Sequence, residues 1–328
     1  MKTRNVITLI YVLALPIIVL SLFVGPTQSA GLGAWMDALW GRGTNTDLVF
    51  TVIYQIRLPR VLLTFLVGGA LAVSGCSIQA VFRNPLTDPY ILGLSSGAAF
   101  GAALALATAW LPVQLSAFVF GLTAVGMSFF MARKNNTVAI VSLILSGIIV
   151  SGIFTSLLAI VQYFSDPFRL QSIVHWTMGN LHLASATKLK MAVFPLLLGS
   201  ATIFVYRWRM NLIALGDDEA RSSGIHPGRD KAILLIAATL ASSSAVAVAG
   251  IIGLYGLIVP HIVRMFSGPD NRQAVPLNFV FGGTFLLLID DLSRSFAGLE
   301  IPIGVFTMLL GGPVFIYLMK KNNIGWND

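Results

Sequence analysis

Residues able to do chemistry are sparse in this chain, and carboxylates concentrate in two places. The first is Asn211–Lys231, NLIALGDDEARSSGIHPGRDK. Asp217, Asp218 and Glu219 put negative charge where the first turn of a helix favours it. Gly224 can supply a left-handed stop, and Pro227 can open the next helix. This pattern predicts a short helix, a tight turn and a new span, built to be touched by something in water. The second place is Asp290, Asp291 and Arg294, with Glu300 shortly after. Such a cluster could bind a proton or sodium ion, or it could be an interfacial group of ion pairs. The apolar runs are nearly free of charge, and a charge at mid-membrane costs roughly 2.5–3.5 kcal/mol, so the ion-pair reading is favoured.

Other chemistries are weaker. A P-loop needs Gly directly before its Lys, and the lysines follow Met1, Arg133, Thr187, Leu189, Asp230, Met319 and Lys320. The chain therefore has no ATP-binding loop of its own. Cys76 is the one cysteine, which excludes an internal disulfide and a cysteine metal cluster. His175 and His182 could ligate iron but read as interfacial polar residues, and His261 reads as a structural hydrogen-bonding group. Met127, Met131 and Met178 read as packing, so no metal site is expected.

The elements that must position these groups are membrane helices. The 328 residues are 56% hydrophobic and 10% charged, against about 25% charged in a soluble protein. The net charge of +8 is scattered between apolar runs, which excludes a nucleic-acid patch. Spans are expected at Val6–Val24, Val61–Phe82, Tyr90–Ala109, Val113–Ala132, Thr137–Tyr163, Met191–Tyr206, Ala232–Leu254, a short eighth ending at Val259–Arg264, Pro276–Asp290 and Ile303–Met319. The sixth is only about 16 residues long and so short for a bilayer. Pro26 to Gln55, with Trp35 and Trp40, reads as an outer loop carrying a surface helix. Ser165–Lys190 reads as a second segment with a short helix along the membrane. Gly93, Gly97 and Gly101 form a small-residue stripe for close helix packing. All ten spans form one transmembrane domain, residues 1–328, with both termini inside. On that topology the outer segments hold only Arg42, Arg57, Arg60, Arg169, Lys188, Lys190 and Arg294, so basic residues favour the inside two to one.

A series of stretches then resembles one family in order: RLPR at Arg57–Arg60, Gly68 to Gln79 with Ser74-Gly75, RNPLTDP at Arg83–Pro89, LGLSSGA at Leu92–Ala98, ALGDDEARSSGI at Ala214–Ile225, GLIVPHIVR at Gly256–Arg264 and EIPIGVFTMLLGGPVF at Glu300–Phe315. They are similar to the iron-siderophore, haem and cobalamin ABC importer permeases. The resemblance implies an all-α integral membrane protein of about ten helices, the type II importer permease fold, in a bacterial inner membrane. It implies a second permease subunit, the same chain or a paralogue. It further implies two cytoplasmic ATPases that bind ATP and Mg, and an external substrate-binding protein. No cofactor is expected in this chain. The resemblance gives ATPase coupling to Leu215, Gly216, Asp217, Asp218, Glu219, Ala220, Arg221 and Gly224. It gives binding-protein docking to Arg57, Arg60 and Arg294, and the inner gate to Asn84 and Leu86. Where the family often has small hydroxyl residues facing the path, this chain has Ile140 and Val141, with Ser142 and Ser146 nearby. The coupling stretch also carries two adjacent acids where one is more usual. The alternative is an ion-coupled secondary transporter using Asp290, Asp291 or Glu300.

Overall fold

The computed structural model describes residues 2–25, 31–40, 42, 46–109, 111–134, 137–295 and 301–321. The chain is all-α. In order, the helices are α1 (Lys2–Ser21), α2 (Leu32–Leu39), α3 (Thr46–Phe82), α4 (Leu94–Thr108), α5 (Val113–Ala132), α6 (Ile140–Phe164) and α7 (Pro167–Thr177). They continue as α8 (Ala186–Leu215), α9 (Asp217–Ser222), α10 (Pro227–Ala249), α11 (Tyr255–Ser267), α12 (Asn271–Ser295) and α13 (Ile303–Lys321). A two-residue antiparallel pair, Arg133–Lys134 with Thr137–Val138, closes the turn between α5 and α6. Six helices (α3, α5, α6, α8, α10 and α12) are long and apolar enough to cross a membrane. Shorter apolar helices lie in α1, α4 and α13, and the 13-residue α11 stands where the short eighth span is expected, in keeping with about ten spans.

Several expected boundaries shift by a few residues, and two move furthest. The predicted outer loop at Pro26 to Gln55 is shortened because α3 starts at Thr46 and runs 37 residues, roughly 55 Å at 1.5 Å per residue. Pro59 lacks an N–H and its ring crowds the preceding turn. The helix absorbs this by widening to π spacing over Thr51–Arg57, where the Leu58 N–H donates to the Ile53 carbonyl. The sixth span is not short: α8 has 30 residues, and its polar end through Arg207, Arg209 and Asn211 is helical.

α3 is the axis of the bundle. Its apolar window is 83% buried, and it packs against α8, α10, α11 and α12. At Gly75 a Cβ would lie 1.8 Å from the Gly256 carbonyl oxygen, so the α3–α11 crossing is backbone on backbone. The predicted glycine stripe divides. Gly97 and Gly101 let α4 approach α5, where a Cβ would come within 2.5 Å of the Phe120 and Ser116 carbonyls. Gly93 precedes α4 with φ +84° and faces Val150 of α6. By contrast α6 and α8 are only 22% and 28% buried in their apolar windows, which leaves broad apolar faces for lipid or another subunit.

Candidate functional site

The stretch from Asn211 to Lys231 is a small structure of its own. Gly216, at φ 154° and ψ 159°, lets the chain turn sharply between α8 and α9, and the Glu219 carboxylate folds back over it. α9 ends in a Schellman motif. The Gly224 N–H donates to the Arg221 carbonyl (3.0 Å) and the Ile225 N–H to the Ala220 carbonyl (3.2 Å). Gly224 sits at φ +80°, as its place in the sequence predicts. Ala220 and Ile225 are both buried, giving the apolar contact that completes the motif.

The paired acids have different work. Asp217 turns inward and accepts from Lys231 at the start of α10 (2.6 Å) and from Arg83 at the end of α3. Arg83 also donates Nε to the Ile213 carbonyl on α8 (2.8 Å). Burial alone would raise the Asp217 carboxyl, but Lys231 and Arg83 together outweigh it and hold it below the usual carboxylate range. Asp218 faces water, its side chain 92% exposed, and pairs with exposed Arg221 (2.9 Å). One acid fixes α9 to three helices, and the other leaves charge on its outer face. Leu215 is also exposed beside it. Nearby, Arg209 of α8 reaches buried Asp230 of α10 (2.9 Å), and Asn211 donates to Asp270 (2.6 Å) before α12. The Asn211 amide, then the Arg272 N–H, hold the Asp270 carboxyl low.

The loop after α3 lies beside this element. Arg83 caps α3 in the left-handed region, and Asn84 organises the turn by accepting from the Leu86 N–H (2.9 Å). Leu86 is 36% exposed. The residue that ties this loop down was not anticipated. Gln79 is 3% exposed, and its amide points at the carbonyls of Thr87 (3.3 Å), Gly256 (3.5 Å) and Leu257 (3.3 Å). Its Oε1 accepts from Arg264 of α11. The signal was available, since Gln79 is the lone amide in the apolar run Val61–Phe82. Replacing it with Leu strands these carbonyls at about 1–3 kcal/mol for a buried group left unmade. Thiol labelling of a Leu86→Cys probe should therefore speed up about fivefold or more in a Gln79→Leu background. An unchanged labelling rate would show that Gln79 does not hold the loop.

At the opposite end of α3 the three arginines expected to dock a partner are buried: Arg57 4%, Arg60 8% and Arg294 4% exposed. Their guanidinium groups serve the chain itself. Arg60 grips Asp290 of α12 through Nη2 (2.8 Å) and Nε (3.1 Å). Arg294 lies 3.3 Å from Asp290, pairs with Asp291, and donates to the Val24 and Ser21 carbonyls after and at the end of α1 (3.0 and 3.1 Å). Arg57 donates to the Leu22 carbonyl (3.2 Å), and the Ser21 hydroxyl donates to Asp291 (2.6 Å). Within the chain these three arginines form a clasp of α1, α3 and α12. Asp290 and Asp291 are the interfacial ion cluster expected, and both carboxylates are committed to it. Glu300 lies outside the described residues. At the start of α6, Val141 and Ser142 are exposed, Ile140 is half-buried and Ser146 is buried.

Comparison with known proteins agrees with this architecture. The model of the FecCD transport family matches residues 12–321. A Helicobacter pylori protein named as a probable iron chelatin transport system permease is 34% identical over 98% of both chains. The molybdate import permease MolB of Haemophilus influenzae is 36% identical, covering 87% of this chain and 88% of its own. A solved inward-facing structure of a metal-chelate type ABC transporter superposes with TM-score 0.87 at 33% identity, covering 97% of this chain and 99% of that one. The ion-coupled alternative finds no support in these matches or in the committed carboxylates. The chain belongs to the FecCD transport family and is a membrane-spanning permease subunit of an ABC importer.

Proposed function

We propose that this permease carries a metal chelate (an iron-siderophore, haem or cobalamin) across a bacterial inner membrane. The path runs at an interface with a second permease subunit, and the broad exposed face of α6 that begins at Ile140, Val141 and Ser142 lines it. Two ATPases dock on α9, and a binding protein loads the opposite end. The observation that carries this reading is α9 itself: an outward acidic element clamped through Asp217 to α3, α8 and α10. An ATPase pushing on α9 would move the ends of three helices and the Asn84–Leu86 loop together. On the loading side, Arg57, Arg60 and Arg294 hold the rim in shape for a partner. ATP and Mg belong to the ATPase.

Reconstitution with the ATPase and binding protein is the direct test, with cargo-dependent stimulation of ATP hydrolysis as the expected result. Absence of any complex with an ATPase would refute it. The orientation has its own check. In a background with Cys76 replaced, Ser222→Cys should react with a membrane-impermeant thiol reagent only from the cytoplasm. Asp37→Cys, exposed on α2, should react only from outside. Labelling from the reverse sides would overturn the placement of both termini inside.

A further inference from the structure

A cavity of ≈ 370 Å³ opens at the end of the bundle opposite α9. α7 and the turn after it form one wall, and α4, α5, the start of α8 and the end of α10 form the rest. Its polar lining is Gln114, Gln171, Ser172, His175, Asn180, His182 and Lys188, and no carboxylate is among the described residues that line it. Trp176 with Leu106, Val113 and Val248 makes an apolar patch inside it.

Three features give the cavity one electrostatic character. Lys188 lies in the first turn of α8, where the Ser185 hydroxyl accepts from its N–H (3.3 Å). A cation there opposes the helix dipole, so Lys188 is poorly placed for the stability of α8. The His175 and His182 rings pack edge to face with centroids 5.1 Å apart. Asn180 fixes the tautomer of His175. Its Nδ2 lies 3.0 Å from the His175 carbonyl oxygen and 3.1 Å from His175 Nδ1. The carbonyl can only accept, so the amide nitrogen must face it and donate to Nδ1 as well. The His175 proton is then on Nε2, which becomes a donor. An ammonium, an imidazole N–H and neutral side-chain amides surround a space to which the described lining residues bring no carboxylate.

We propose that this cavity is a binding site for an anionic oxygen ligand, a carboxylate or phosphate, gripped by Lys188 and the imidazoles while Trp176 and its apolar neighbours receive the body of the molecule. A bound anion offsets the first-turn cation and the helix dipole together. Two sources share this chemistry: a soluble carboxylate-bearing chelate, or the phosphate of an anionic lipid at the membrane rim.

Citrate is a suitable soluble probe, titrated calorimetrically into the full chain in phosphatidylcholine nanodiscs. Saturable binding is expected, weakened about tenfold or more by Lys188→Gln, as for loss of a charge-assisted hydrogen bond. Lys188→Arg should keep it, which separates lost charge from lost folding. Arg207→Gln, at the other end of α8, should leave it unchanged. A second arm replaces part of the lipid with phosphatidylglycerol. If lipid phosphate is the natural occupant, citrate affinity falls with phosphatidylglycerol content in the parent protein and not in Lys188→Gln. If the occupant is soluble, the lipid makes no difference. Citrate binding untouched by Lys188→Gln overturns the proposal. So does the absence of citrate binding in both lipids.

Discussion

Asp290→Ala should destabilise the folded protein by about 3–5 kcal/mol, the typical cost of removing one partner from a buried ion pair. Asp290 is fully buried between Arg60 and Arg294, whose own side chains are 9% and 2% exposed. Truncation leaves Arg60 without this carboxylate and Arg294 with Asp291 alone. Arg60→Leu combined with Asp290→Leu should be more stable than Asp290→Ala, because no charge is then stranded at that pair. Denaturant unfolding of the purified protein, followed by tryptophan fluorescence, reads both variants. A loss below about 1 kcal/mol in Asp290→Ala would mean that water or a neighbour already satisfies Arg60 and that the clasp contributes little.

Gly224→Val should abolish coupling while the protein stays inserted. Nothing lies within 4 Å of a Cβ at this position, so the effect is conformational and not steric. The left-handed region costs an ordinary residue about 1–2 kcal/mol, and a β-branched one is a clear outlier there. The Schellman motif then opens, Ile225 leaves Ala220, and α9 meets its ATPase at a different angle. Cargo uptake by the assembled importer should fall at least tenfold, that being the effect of about 1.4 kcal/mol in the coupled state. Gly224→Asn should keep most activity because Asn tolerates this conformation. ATP hydrolysis that still responds normally to the loaded binding protein in Gly224→Val would refute the coupling role of this turn.

Local chemistry made much of this legible in advance. Gly224 and Pro227 end and begin helices where their backbone limits require. Val113–Ala132 runs between the expected residues, since Pro112 and the Arg133–Lys134 pair bound it. What sequence could not supply was the distant partner. Arg60 and Asp290 are 230 positions apart, and an arginine at a helix rim reads the same whether its carboxylate is in the same chain or another. Asp217 and Asp218 look equivalent in line, and only the arrival of Arg83 and Lys231 separates them. The length of α8 was hidden for a similar reason. Hydropathy registers its apolar middle, while Arg209 and Asn211 stay helical because Asp230 and Asp270 receive them.

The clasp at Arg60 also has a temporal side. α3 enters the membrane early, yet Asp290 is synthesised more than two hundred residues later. At about 5–20 residues per second, Arg60 waits roughly 10–50 s for its carboxylate. For that interval a helix whose surface is mostly destined for burial sits beside lipid or the insertion machinery, with two arginines near its rim. Its π-widened turns and its reach beyond the bilayer let those arginines rest at headgroup level until α12 arrives. Biogenesis of this permease is therefore a matter of holding α3 in reserve, and slow translation of the last third of the message should lower its yield more than slow translation of the first.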